Sequence, residues 1–342
     1  MQVVASPSSP PATAAPVAAL REDGSVDPVH EGALTRDLAV ALYEHMVLSR
    51  AVDERFVEMQ REGTIAQHAS ATGEEATILG AAAAMSEEDW IFPGAREFAA
   101  ALWRGMPLLA YAHHVLGTAS DVGAGRNAPG SPFWRAAKVA SVSPIVGASI
   151  PHAVGAAWAA RIRKARAASL VFFGEEATST GDFHSGLNFA GVTRAPVVAV
   201  CRSGAFATSA PAARQTASPG FAIKALAYGL RGVTVDGTDV VAVLSVVRDA
   251  RARAVAGEGG TLVEAVFAGG EKVDPIARMR QHLVASGLVE PEIDQRLAAD
   301  IAADVERALA EAAKAAPPAR STMFEDVYAA PPWHLVEQRD AR

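Results

Sequence analysis

"SLVFFGEEATSTGDFHSGLNFAGVTRAPVVAVCRSGAF" occupies residues 169–206, and its reading decides the fold. "SLVFFG" (169–174) is a short, continuously apolar strand, "GDFHSGLNFAGVT" (181–193) a helix after a small loop, and "APVVAVC" (195–201) a second strand. Two apolar strands joined through a helix must pair in parallel by a right-handed crossover. Their unbroken apolar character says that both sheet faces are covered. The pattern continues downstream with helix "GFAIKALAYG" (220–229), strand "GVTVDG" (232–237), helix "VVAVLSVVRDARARAVA" (240–256) and strand "TLVEAVF" (261–267). Upstream, "WIFPGAREFAAALWRG" (90–105) reads as a short strand, a turn at Pro93-Gly94 and a helix, and "SIPHAVGAAWAARIRKAR" (149–166) as a helix. "DVGAGRNAPGSPFWRAAK" (121–138) is loop.

"TRDLAVALYEHMVLSRAVDERFVEMQREG" (35–63) has Leu38, Leu42, Met46 and Val47 at helical spacing, with Thr35 as cap and Gly63 as stop. "TGEEATILGAAAAM" (72–85) is a second helix, rich in small residues, and 274–316 is a helical tail. The expected fold class is α/β: a doubly wound, mostly parallel sheet flanked by helices, with N-terminal helices and a helical C-terminal tail. The expected organisation is a flexible Ala/Pro/Ser arm over 1–30, an α/β domain with its N-terminal helices over 31–268, and the helical tail over 269–342.

Half of the 342 residues are hydrophobic, ample for a large core. A net charge of −7 without a clustered basic face argues against nucleic acid as the main partner. No apolar run reaches the roughly 18–20 residues of a membrane span. A single cysteine, Cys201, cannot form an internal disulfide, and the opening segment lacks the marks of a signal peptide or an arginine-bearing presequence, so a cytoplasmic location is expected.

In a doubly wound sheet, ligands bind beyond the carboxyl ends of the strands. Glu175 sits at one such end, ahead of a helix. A carboxylate there repels a phosphate unless a divalent cation lies between, which makes Glu175 either a Mg²⁺ ligand bridging to a diphosphate or a helix-capping carboxylate. The next strand end carries "CRSGAF" (201–206), where Arg202 can pair with a phosphate oxygen through its planar fork. Cys201 reads as a buried small hydrophobe, His184 as a packed helix histidine, and His68 as a candidate for facing the pocket.

These residues carry a family resemblance. "LYEHMVLSRAVDER", "GEEATILGAAAAM", "FPGARE", "DVGAGR", "SPIVGASIPHAVGAAWAA", "FFGEEATSTGDFHSGLNFAG", "CRSGAFATS", "DPIARMRQHLVASG" and "FEDVYAAPPWHL" follow one another from about Leu34 to Gln338. In this order the chain resembles the α subunit of the E1 component of thiamine-diphosphate-dependent 2-oxo acid dehydrogenase complexes, most closely the branched-chain type. The resemblance implies the thiamine-diphosphate-binding fold, thiamine diphosphate and Mg²⁺ as cofactors, a separate β-type subunit in an α₂β₂ assembly, and a lipoyl-bearing E2 core as acyl acceptor. It also implies roles position by position. Glu175 matches the acidic metal ligand, and Phe206 the residue whose carbonyl completes the metal shell. Ala177 matches a residue whose backbone meets the diphosphate, Arg202 and Arg96 match phosphate-binding arginines, and Val146 matches the residue whose backbone meets the aminopyrimidine.

Four departures stand against that pattern. Glu176 occupies a glycine position beside the diphosphate, Gly204 replaces the metal-binding asparagine, and Ala95 replaces a tyrosine before Arg96. The loop that would carry an active-site histidine is absent from "VFAGGEKVDPIARMR" (266–280). Two functions therefore follow from the sequence: a decarboxylating E1 α subunit, inactive without its β chain, or a non-catalytic paralogue that keeps the fold and has lost cofactor binding.

Overall fold

The computed structural model describes residues 15–204, 206–207, 210–267, 273–325 and 328–341. Strand β1 (Trp90–Phe92) precedes β2 (Ser169–Gly174) and β3 (Val197–Ser203); a small antiparallel pair, β4 (Phe206–Ala207) and β5 (Ala210–Pro211), follows, and then β6 (Arg231–Asp236) and β7 (Thr261–Val266). The main sheet runs β1-β2-β3-β7-β6, with every neighbouring pair parallel. This is the expected doubly wound architecture.

The helices are α1 (Arg36–Arg61), α2 (Glu75–Ala83), α3 (Phe98–Trp103), α4 (Leu108–Leu116), α5 (Ser149–Ile162), α6 (Gly181–Thr193), α7 (Val240–Val255), α8 (Pro275–Ala285), α9 (Pro291–Ala312) and α10 (Trp333–Asp340). Strand residues alternate between two cores, as the pleat requires. Leu170, Phe172, Val198 and Val200 face the layer of α1, α2, α3 and α7, whereas Val171, Phe173, Val197, Ala199 and Cys201 face α5 and α6. Both faces are covered, which is why the strands carry no polar alternation. Among the described residues, no helix is long and apolar enough to cross a membrane.

Several expectations change in detail. Thr35 caps α1 as expected, accepting from Leu38 N, and Gly63 ends it as expected, with φ +74° just after the helix stops at Arg61. Helix α2 starts at Glu75 rather than near Thr72, because Gly73 has φ +89° and donates its N–H to the Glu75 carboxylate. Residues 222–228 form a 3₁₀ helix rather than an α-helix. The expected flexible arm needs correction from Val17 onward. Val17 bridges Val235 at the sheet edge, Ala19 and Leu20 are buried, and both of their N–H groups donate to Asp239 Oδ2 at 2.7 Å. Residues 1–14 of that arm lie outside the described residues. The tail also shares the main core: Ile276, Met279 and Leu283 of α8 and Val305, Leu309 and Ala312 of α9 join the α1–α2–α7 layer.

Candidate functional site

The chain leaves β1 toward α3 in one helical layer and leaves β2 toward α6 in the other. Adjacent strands whose exits diverge to opposite faces open a crevice at their carboxyl ends. A cavity of about 260 Å³ lies there. Its walls are the turn after β1 (Gly94, Ala95, Arg96), the loop before α5 (through Val146), the exit of β2 (Gly174, Glu176, Ala177) and the end of β3 (Arg202). The structure thus brings Arg96, Val146, Glu176, Ala177 and Arg202 to one crevice. Phe206 begins β4, two residues past Gly204.

Glu175 and Arg202 emerge from neighbouring parallel strands. Gly174 is in register with Arg202, so Glu175 lies one residue past the pairing. Its carboxylate turns into the protein: the residue is 2% exposed, Oε2 accepts from Gly204 N, and Oε1 is buried with no hydrogen-bond partner among the described residues. Burial raises its pKa; the Gly204 N–H opposes this, while the nearby Glu176 and Glu264 carboxylates add to it. Glu175 is not among the residues lining the cavity.

Arg202 is also engaged by the protein. Its Nη1 donates to Glu74 Oε2 at 2.6 Å, and its Nε stands 2.5 Å from Glu97 Oε1 as an ion pair without hydrogen-bond alignment. Burial alone would loosen the proton on Arg202, but the Glu97 and Glu74 charges outweigh it and hold the guanidinium more firmly charged than usual. Burial likewise pushes the Glu97 carboxyl up, with Arg202 pulling the other way. Glu97 Oε2 also accepts from Gly94 N at 2.6 Å, fixing the turn that presents Arg96. Arg96 is the more accessible cation: its side chain is 46% exposed, with Nη1 donating to Ser70 O at 2.6 Å and lying 3.8 Å from Glu74 Oε1.

Glu176 lines the crevice and is exposed to solvent. Its carboxylate is folded back over Gly174, so that a Cβ built on Gly174 would lie 2.2 Å from Glu176 Oε2 and 2.5 Å from Oε1. Gly174 has an ordinary φ of −82°, so no backbone conformation demands glycine here.

The wall formed by Gln67 and Ala69 is hung from a buried carboxylate that the sequence reading did not single out. Asp53 on α1 accepts from His68 Nε2 (2.7 Å), Ala71 N (3.0 Å), Ser70 Oγ (2.6 Å) and Thr72 Oγ1 (2.6 Å). Burial would raise its pKa, but these donors overcome it and hold the group at about 2. His68 therefore points into the core, between Phe56 and Phe98, and not into the crevice for which it was one candidate. His184 bonds Tyr228 Oη and packs against Phe183, as a structural histidine does. Glu74 and Glu97 were also missed; Glu97 sits next to Arg96 in "GARE" and Glu74 within the helix segment "TGEEATILGAAAAM", but their partnership with Arg202 spans more than a hundred residues. Among the described residues, no cluster of three or more His, Cys, Asp or Glu groups is arranged to hold a metal ion.

The sequence model of the Dehydrogenase E1 component family matches residues 43–267, which include the whole sheet and every crevice wall. The chain belongs to that family. Its relatives include the 2-oxoisovalerate dehydrogenase subunit alpha 2, mitochondrial, of Arabidopsis thaliana, 35% identical over 89% of this chain and 69% of the relative. The corresponding mitochondrial alpha subunit of Bos taurus is 31% identical over 94% of this chain and 75% of its own length. The pyruvate dehydrogenase E1 component subunit alpha of Staphylococcus aureus is 32% identical, over 89% and 86% respectively. Both branched-chain and pyruvate-type α subunits thus align with this E1-family chain over nearly all of it, and the E1 α-subunit reading of the sequence holds.

Proposed function

We propose that this chain is the α-type subunit of a 2-oxo acid dehydrogenase E1 assembly, one that folds and pairs with a separate β-type chain while its own thiamine diphosphate half-site is closed and non-catalytic. The observation that carries this reading is the Glu176 carboxylate lodged over Gly174 in the crevice.

The resemblance calls for thiamine diphosphate held with Mg²⁺, and the donor set does not fit that group. Glu176 brings a negative charge to the place of approach of a diphosphate, where a like charge is disfavoured. Gly204 has no side chain to offer a metal, and its N–H already serves Glu175 Oε2. Arg202 is held by Glu74 and Glu97. Four carboxylates (Glu74, Glu97, Glu175, Glu176) therefore meet two guanidiniums (Arg96, Arg202) around the crevice. The loop after β7, expected to lack the family's histidine, lies in part outside the described residues, at 268–272.

Pairing is supported by an apolar patch. Trp158 and Ile162 on α5 and Phe189 and Val192 on α6 are all more than a third exposed, with the Trp158 and Phe189 rings edge-on at 5.2 Å. Neighbouring exposed large hydrophobics on adjacent helices mark a surface that another chain covers.

One observation favours a second, catalytic reading: among the described residues Glu175 Oε1 is buried with no partner, and a cation would satisfy it. In that reading thiamine diphosphate supplies the carbanion chemistry when bound, with a β-type chain and a lipoyl-bearing E2 core as partners. Co-expression with a β-type E1 chain, followed by an assay of carbon dioxide release from a branched-chain 2-oxo acid with thiamine diphosphate and Mg²⁺, separates the two. A stable complex without release is expected. Release above the blank would overturn the closed site, and failure to form a complex would overturn the subunit role.

A further inference from the structure

We propose that a second cavity, at the carboxyl ends of β3, β6 and β7, binds a small primary amine in its ammonium form, with the Glu264 carboxylate as counter-charge. The inference stands apart from the closed-site reading and does not depend on it. Glu264 is the first support. It sits inside the buried strand β7, "TLVEAV", and is 5% exposed. Its Oε2 accepts from Phe221 N at 2.8 Å and Ala222 N at 2.7 Å, at the start of the 3₁₀ helix over 222–228. Among the described residues, Oε1 has no hydrogen bond and no Lys, Arg or His pairs with the carboxylate. Its charge helps to raise the neighbouring Cys201 thiol. A buried carboxylate without a counter-charge is costly, so a cation from outside supplies what the chain leaves out.

The cavity itself is the second support. It holds about 680 Å³, and Glu264 is the one ionisable side chain among its lining residues. Thr234 of β6 and Cys201 of β3 pair with Glu264 on either side, and Ser203 pairs with Val266 two residues further on. The two-residue period of a strand therefore puts Ser203, Thr234, Glu264 and Val266 on one face of the sheet, and all four line the cavity. An ammonium group has three donors and no acceptor, which suits one carboxylate oxygen and two hydroxyls. Phe221 and Val266 offer apolar wall for a hydrocarbon body. Pro16 walls the sheet-edge side, held there by Val17 N, which donates to Thr234 O at 2.9 Å. No lining residue is shared with the crevice; Arg202 and Ser203, consecutive in β3, line one each.

The test is a calorimetric titration of the full chain with phenethylamine hydrochloride, beside its neutral and anionic counterparts 2-phenylethanol and 3-phenylpropanoate. The wild-type chain should bind the ammonium saturably, one per chain, and neither counterpart. Glu264→Gln keeps an oxygen that can accept from Phe221 N and Ala222 N but removes the charge, and should bind at least about tenfold more weakly, the scale of one charge-assisted hydrogen bond. Ala217→Trp fills the cavity from its exposed loop wall without altering Glu264, and should abolish binding; it decides the matter if Glu264→Gln does not fold. No saturable heat from the wild-type chain at millimolar phenethylammonium, equal binding of 2-phenylethanol, or affinity retained in either folded variant would overturn the site.

Discussion

Replacing Asp53 by alanine removes the acceptor from which one crevice wall is hung. Asp53 is 1% exposed and serves four donors from residues 68–72. In the variant the hydroxyls of Ser70 and Thr72 can turn toward water, because Ser70 is only half-buried and Thr72 is exposed. His68 Nε2 and Ala71 N cannot, and each unsatisfied buried group costs about 1–3 kcal/mol. Linkage gives a second route to the size. A carboxyl held at about 2 against an ordinary value of 3.8 contributes about 2.5 kcal/mol at neutral pH. The two routes agree on a loss of about 2–5 kcal/mol, measurable as a fall in urea midpoint followed by circular dichroism. The pKa is depressed in the fold, so its contribution is complete above the unfolded value and is lost as pH falls through about 2. At pH 3 the gap between wild type and Asp53→Ala should therefore narrow by about 1 kcal/mol relative to pH 7. A variant within about 0.5 kcal/mol of wild type at pH 7, the ordinary range of a surface change, would refute this assignment.

Pairing with Glu74 and Glu97 gives Arg202 a part in holding the fold. Arg202→Met leaves Glu97 buried without a counter-charge and should cost about 3–5 kcal/mol, most of it recovered in Arg202→Met with Glu97→Gln; a single variant that melts like wild type would contradict the pairing. Burial first, then the Glu264 and Glu175 charges, push the Cys201 thiol well above its usual range, so thiol reagents should label it only after unfolding; rapid labelling of the native chain would show otherwise. A Cβ on Gly191 would lie 1.8 Å from Tyr228 O, whereas one on Gly155 meets nothing within 4 Å. Gly191→Ala should therefore abolish soluble folding, and Gly155→Ala, in the interior of α5, should hold or raise the melting temperature by helix propensity, about 0.5–1 kcal/mol; the opposite order would mean that the α6 packing is misassigned.

What could be read from the sequence was set by local signals. The boundaries of β2 and α6 follow from an apolar run and from Thr180, whose hydroxyl caps the helix by accepting from Phe183 N. The convergence of Arg96, Val146, Ala177 and Arg202 was legible because each sits at a strand exit or in a loop of the resembled family. Long-range electrostatics were not legible. Glu74 meets Arg202 across 128 residues, and Asp239 holds Ala19 and Leu20 across 220 and 219. The Ala/Pro/Ser composition of the first thirty residues suggests a loose arm, and only the free edge of β6 shows why Val17 is held. Nor does the sequence tell where Glu176 points: a carboxylate at a glycine position could reach for a metal, face solvent, or fold back over Gly174 as it does.

The most direct test of the closed half-site is an isothermal titration of thiamine diphosphate, with Mg²⁺ in excess, into the wild-type chain co-purified with a β-type E1 partner. The proposed closed half-site, with Glu176 beside the diphosphate's place and Gly204 offering no ligand, predicts no saturable heat at millimolar cofactor. Micromolar binding would contradict it.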